Sequence, residues 1–250
     1  MIEELFAQGS SFLHRLDPRI KIIGAICYIS TIALVNSFTA LICAFFISLV
    51  MLVSARLPAL AVSKRMLLVN GFTLFLWITL PLTYEGNHIY HYGVLTLSQD
   101  GIILAARISL KTNTIILSII ALLTTSTIAH LGSALDRMGF PKKICFLLLY
   151  SYRYIFVIHQ EYLRLLRAAK MRSFSPKTNL HTYKTYAYLF GMTLVKSYNR
   201  AQRVHQAMLL RGFNGRLVSL YNYNIGKADI LFLCALSLVN LSIITITFVY

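Results

Sequence analysis

Acidic residues are scarce in this chain. Eight Asp and Glu stand against 24 Lys and Arg in 250 residues, a formal net charge of +16. Charge of either sign is thin as well. It makes up 13% of the residues, where a soluble domain carries about 25%. With 57% hydrophobic residues and a mean hydropathy of +0.67, this excludes an ordinary soluble domain and describes a membrane protein. Cysteine is limited to Cys27, Cys43, Cys145 and Cys234, scattered through apolar stretches with no CxxC pair, so neither a disulfide framework nor a zinc site is expected. No Gly-x-x-x-x-Gly-Lys-[Ser/Thr] loop is present, so ATP, if it drives this protein, is bound by another chain. No nucleophile–base pair stands at a recognisable spacing, and the apolar runs offer few of the mid-span polar residues that an intramembrane enzyme needs. The first residues include Glu3 and Glu4 and lack a short apolar run with a cleavage site, so a cleaved signal peptide is not expected.

What is present is a set of long charge-free runs. None of the residues between Lys21 and Arg56 is charged, an interval too long for one crossing of about 20 residues. Asn36-Ser37 breaks it, which predicts two spans at about 18–36 and 38–55. Asp17 suits a helix cap and Pro18 the first helical position, with Arg19 and Lys21 snorkelling at the start. Arg56, Pro58, Lys64 and Arg65 read as a short basic connector. Further spans are predicted at about 66–83, ending at Pro81, and within 102–128, and a last one within 229–250. The expectation is an all-α polytopic membrane protein: a transmembrane domain over 1–128 with four spans, a basic region over 129–228, and a final transmembrane helix over 229–250.

The charge map orients it. Sixteen of the 24 Lys and Arg lie in 129–228, opposed only by Asp136 and Glu161, whereas the loop 84–100 has Glu85 and Asp100 and no Lys or Arg. The positive-inside rule places the N-terminus, the 56–65 connector and 129–228 in the cytoplasm, and 84–100 and Tyr250 outside. The excess charge is thus that of a large cytoplasmic segment rather than of a nucleic-acid binder, whose signature would be steep salt dependence. Within 129–228 the apolar runs 144–152 and 185–195 are too short to span and can lie along the membrane or under the transmembrane helices. Gly139, Pro141 and Pro176 divide the region into a short helix near 130–138 and long ones near 142–172 and 179–211.

The two long helices end alike. One closes Ala168-Ala169-Lys170-Met171-Arg172-Ser173-Phe174 and the other Ala207-Met208-Leu209-Leu210-Arg211-Gly212-Phe213. Ala and Arg at i and i+4 share a face, the alanine allowing close approach and the arginine presenting a planar fork of donors. Residues 197–213 repeat small and apolar groups at steps of three and four up to Gly212, the form of a helix that enters another protein's groove.

These two ends resemble the paired Ala-Arg-Gly motifs of the transmembrane T component of energy-coupling factor (ECF) transporters. Leu13-His14-Arg15-Leu16-Asp17-Pro18-Arg19-Ile20-Lys21, Leu135-Asp136-Arg137-Met138-Gly139-Phe140-Pro141 and Tyr152-Arg153-Tyr154-Ile155-Phe156 are similar to that family too. Arg200–Met208 and Arg211-Gly212-Phe213-Asn214-Gly215 resemble most its cobalt-type member, CbiQ. Ser173 departs from the pattern, standing where the family usually has glycine. The resemblance covers nearly the whole chain and implies a subunit that is not an enzyme and binds no cofactor. It would couple two ABC ATPases, which bind the ATP, to a separate substrate-binding membrane subunit that binds the metal. Its two long cytoplasmic helices would cross, and their tips would enter the ATPases. By match to the motif, Ala168, Arg172, Ser173, Ala207, Arg211 and Gly212 would form the tips. Cobalt uptake is the implied function, with nickel or another ECF substrate as the alternative. A standalone polytopic enzyme or channel is the reading from another class.

Other polar groups stay open at this level. His88 and His91, with Glu85, fit either a metal pair or a polar outer loop. Arg107 and Lys111, at i and i+4 in a span, fit either an interface with another subunit or snorkelling at the membrane surface. His159 and Glu161 stand two apart on a helix and point away from each other, so a packed or solvated face is expected rather than an acid–base pair.

Overall fold

The computed structural model describes residues 6, 9, 11–84, 88–92, 95–213, 215 and 226–249, with the backbone alone at 88–92, 95–97 and 248–249. Among them are nine α-helices and one short antiparallel hairpin. The helices are α1 (Phe12–Arg15), α2 (Pro18–Leu34), α3 (Phe38–Ala55), α4 (Ala59–Thr83), α5 (Gln99–Leu122), α6 (Ile128–Arg137), α7 (Lys142–Met171), α8 (Leu180–Leu210) and α9 (Lys227–Val249). Strands β1 (His88–Tyr92) and β2 (Leu95–Ser98) occupy the segment expected to be an irregular outer loop. The fold is an all-α polytopic membrane protein. The chain forms two compact units, Glu4–Leu131 with Asn222–Tyr250, and Gly132–Tyr221.

In the first unit, α3, α4, α5 and residues Lys227–Thr247 of α9 are long and apolar enough to cross a membrane. The fifth expected span, α2, has 17 residues, about 25 Å of helix at 1.5 Å per residue, the lower limit for a crossing. It is the most enclosed helix. Ala25, Tyr28 and Ile32 are buried along one face, and the Tyr28 hydroxyl donates to Ala44 O at 2.7 Å on α3. Its last carbonyls have no partner within the helix and must be satisfied from outside it. Lys111 of α5 does this, donating from Nζ to Ala33 O at 2.9 Å and Asn36 Oδ1 at 3.0 Å, while the Arg107 guanidinium lies 5.4 Å over the Phe38 ring. A cation at a helix C-terminus also interacts favourably with the negative end of the helix dipole. Within the chain, both residues close the α2–α3 turn, whichever of the two expected roles they also serve.

The third span begins earlier than expected. Lys64 and Arg65 belong to α4, and only residues 56–58 connect it to α3. Charge does not stop a helix; Pro58 does, and Arg65 is accommodated over the Phe6 ring at 4.4 Å. Pro81 lies inside the last turn of α4 rather than ending it. The hairpin returns the chain so tightly that a Cβ on Gly101 would stand 2.7 Å from Leu80 O, a position only glycine fits.

A polar knot closes one end of this unit. Asp17 caps α2 by accepting from Arg19 N–H at 2.9 Å, and its own N–H donates to Asp229 Oδ1 at 2.9 Å. Asp229 Oδ2 accepts from Gly226 N–H at 2.9 Å. Lys21, fully buried, donates to Ser126 Oγ at 2.8 Å and Thr125 Oγ1 at 3.3 Å, and the charges of Asp229 and Asp17 act on it. Replacing Lys21 by Met removes both bonds and leaves two buried carboxylates without their facing cation, an expected loss of about 3 kcal/mol or more. Thermal unfolding of the purified protein in detergent measures it, with Asn70→Leu, outside the knot, as the milder comparison.

Candidate functional site

The second unit carries the residues that the sequence singles out. Asn179 caps α8, its Oδ1 accepting from Thr182 N–H at 2.9 Å. Helices α7 and α8 run antiparallel: Phe146 meets Phe213 at one end (5.4 Å between ring centroids), and Phe174 meets Tyr186 at the other (5.7 Å). Between these ends, Tyr162 stacks on Phe190 at 5.4 Å.

The centre of the pair is one carboxylate among three cations. Glu161 of α7 accepts from Lys196 Nζ at 2.8 Å and Arg164 Nη1 at 3.3 Å, and Arg200 Nη2 stands 3.6 Å away. Glu161 is buried, and the Lys196 hydrogen bond, aided by the charges of Lys196, Arg164 and Arg200, holds its pKa below the usual carboxylate value. Its partners therefore lie on α8 and one turn along α7. His159 is not among them, in line with the two-residue spacing.

Both long helices end in the same backbone motif. Arg172 follows α7, Ser173 takes a left-handed φ of 64°, and Phe174 N–H donates back to Ala169 O at 3.2 Å while Ser173 N–H donates to Lys170 O at 3.1 Å. At the end of α8, Gly212 has φ 75°, Phe213 N–H donates to Met208 O at 3.0 Å and Gly212 N–H to Leu209 O at 2.9 Å. These are the paired six-to-one and five-to-two bonds of a Schellman ending. Ser173 thus reaches the glycine geometry despite its Cβ, at a cost of about 1 kcal/mol. The short helix α6 closes identically, with Gly139 at φ 88° and Phe140 N–H donating to Leu135 O at 3.2 Å. Three helix ends followed by Phe therefore share one geometry, where the sequence showed two.

All six sequence-selected residues, Ala168, Arg172, Ser173, Ala207, Arg211 and Gly212, are exposed. Neither Arg172 nor Arg211 makes an ion pair among the described residues. The ends are not brought together. Each lies at one end of the antiparallel pair, separated by the length of α8, roughly 45 Å for 31 residues. Beside the first end is an open groove of about 450 Å³ that Ala168, Arg172 and Phe174 line with Tyr188 and Met192 of α8.

Sequence reasoning passed over one pair. The residue immediately before each arginine is a large apolar one, and it stands almost wholly in the open: Met171 is 86% exposed and Leu210 90%. Their matched place before Arg172 and Arg211 was the available signal. Leu194, Tyr188, Tyr183 and Leu180 add more uncovered apolar surface along α8. His88 and His91 lie on β1, but their side chains, and Glu85, fall outside the described residues.

The fold and these helix ends define a multi-pass membrane protein whose second unit offers two matched, cationic, apolar-tipped surfaces. The chain matches the family described as cobalt transport protein (CbiQ) over residues 9–220, and it belongs to that family. It is similar to an uncharacterized protein of Methanocaldococcus jannaschii, 24% identical over 92% of this chain and 81% of that one. It is also similar to the energy-coupling factor transporter transmembrane proteins EcfT of Bacillus subtilis (25% identical, 86% of this chain and 85% of that one) and Ruminiclostridium cellulolyticum (22%, 84% and 82%).

Two measurements check this geometry. Ser173→Gly is expected to raise stability, and Gly212→Ala, with open space around the new Cβ but a left-handed φ, to lower it, each by about 1 kcal/mol in thermal unfolding. Glu161 titrates below its ordinary value, so its contribution is complete above that value and lost as pH falls through the lowered one. Spin labels on α7 and α8 should report an unchanged separation from neutral pH down into the ordinary carboxylate range and a wider one below it. Glu161→Gln should show the wider separation already at neutral pH.

Proposed function

We propose that this chain is the transmembrane coupling (T) subunit of an ECF-type importer. It passes the ATP-driven motion of two cytoplasmic ABC ATPases to a separate substrate-binding membrane subunit. The observation that carries this reading is the pair of identical Schellman ends with Arg172 and Arg211 exposed and without an ion pair among the described residues, each preceded by an exposed apolar residue. A cationic fork beside a bare Met or Leu is what a groove with an acidic rim and an apolar floor accepts. Two such ends roughly 45 Å apart suit two copies of one ATPase rather than a single partner. The lack of a phosphate loop in the sequence supports ATP binding by those partners and a non-catalytic role for this chain.

The names of the EcfT relatives support the importer class, and the family description supports cobalt as the substrate, carried by the separate membrane subunit. The domain division follows: a transmembrane part over 1–128, a coupling part over 129–228 and a last crossing over 229–250. The charge map favours a cytoplasmic N-terminus and cytoplasmic coupling helices in a prokaryotic cell membrane. Ala168 and Ala207 permit close approach to each ATPase, and Ser173 and Gly212 turn the chain away beyond it.

Arg172→Glu combined with Arg211→Glu in the co-expressed complex tests the proposal. Each buried anchor is worth about 2 kcal/mol, so retention of the ATPases on the purified chain should fall on the order of tenfold or more, with uptake lost. ATPases that still co-purify, with uptake unchanged, would overturn it.

A further inference from the structure

Helices α3 and α4 follow one another through residues 56–58, yet each packs mainly on α5 and hardly on the other. A groove of about 560 Å³ opens between them, with Leu49 of α3 on one wall, Met66 and Asn70 of α4 on the other, and Ala106, Ser109 and Asn113 of α5 along the floor. The Trp77 indole N–H donates to Ser109 Oγ at 2.7 Å and closes one end.

Two amides stand in this groove at the same depth. The approach of Gly101 to Leu80 and the Trp77–Ser109 bond make α4 and α5 antiparallel. Asn70 lies 13 residues before the end of α4 at Thr83, and Asn113 lies 14 residues after the start of α5 at Gln99. Both are therefore about 20 Å along the helix axis from the hairpin end, near the middle of a hydrocarbon layer of about 30 Å. Neither amide is filled. Asn113 Nδ2 donates to Ser109 O at 2.9 Å, but its Oδ1 accepts no bond among the described residues. Asn70 Oδ1 accepts a long bond of 3.4 Å from Thr73 Oγ1, and its Nδ2 donates to none among them. Lipid tails fill apolar walls but offer nothing to an amide, and an unfilled polar group at this depth is costly. The small Ala106 and Ser109 let another backbone come close, as transmembrane helix contacts require.

We propose that this groove receives a transmembrane helix of the separate membrane subunit, which presents a side chain able both to donate and to accept (Asn, Gln, Ser or Thr) to Asn113 Oδ1 and Asn70 Nδ2. The proposal rests on the coupling-subunit reading for the existence of that subunit, and it places the docking site in the membrane, away from the helix ends.

The test compares three variants in the co-expressed complex, reading the amounts of membrane subunit and of ATPase that co-purify per copy of this chain. Ala106→Trp fills the floor, Asn70→Leu with Asn113→Leu removes the amides, and Leu74→Trp enlarges an exposed position of α4 outside the groove lining. The expected result is loss of the membrane subunit on the order of tenfold in the first and several-fold in the second, with ATPases retained, and no change in the third. A membrane subunit held at wild-type level by both groove variants overturns the proposal. Should Ala106→Trp not fold, the leucine pair and a photo-crosslinking residue at Leu49 in the otherwise wild-type complex decide. Adducts with the co-purified membrane subunit support the proposal, and adducts only with lipid or a second copy of this chain overturn it. The coupling reading fails separately, if the Arg172 and Arg211 charge reversals leave the ATPases bound.

Discussion

One buried cation ties the membrane unit together. Lys21 sits at the start of α2 with no exposed surface, and its ammonium is held by the hydroxyls of Thr125 and Ser126 and by the charges of Asp17 and Asp229. Those partners mark three points of the chain. Asp17 is where the chain starts α2, Thr125 and Ser126 are the last turn before α6, and Asp229 with Gly226 is where it returns to begin α9. A buried charge is tolerated only when it is compensated, so all three segments must be in place together. The single links Asp17 N–H to Asp229 and Lys21 to Ser126 thus make the beginning, the exit and the return of the chain one cooperative element. Hydrophobic packing alone would not specify it, because side chains within lipid gain little from choosing a protein neighbour over a hydrocarbon one.

The same economy of polar contacts governs the second unit, with a different outcome. There the two long helices meet through rings at both ends and Glu161 at the centre, and much of the apolar surface of α8 stays uncovered. Exposed apolar patches of this kind mark surfaces meant for a partner or a membrane. The Glu161 cluster is largely electrostatic and partly open to solvent, so it fixes the pairing of α7 with α8 without a dry core.

Much of the fold was legible in the sequence because charge-free runs and breakers act locally. The hairpin of two helices around Asn36-Ser37 and the three helices divided by Gly139, Pro141 and Pro176 all follow from neighbours along the chain. The errors arose where a local sign stood in for a three-dimensional one. Lys64 and Arg65 looked like a connector, but they are the first turns of α4. The partners of Arg107 and Lys111 within the chain, Phe38, Ala33 and Asn36, lie some 70 residues away in sequence, beyond the reach of a local reading. Of the candidate site, the alanines, arginines and turn residues were legible from their repetition. Met171 and Leu210 were not, since an apolar residue near a helix end is ordinary until its exposure is known.

The features left unfilled are of two chemical kinds, and this separates their partners. Arg172 and Arg211 are charged, stand beside bare apolar tips and end helices in the highly basic unit, a chemistry that acidic and apolar surface would complement. Asn70 and Asn113 are neutral, lie at mid-helix depth among apolar walls, and need a partner that brings a hydrogen bond without a charge. A single protein would have to offer both chemistries in two different media. Under the proposed function, two kinds of partner, one aqueous and one embedded, would satisfy them with less.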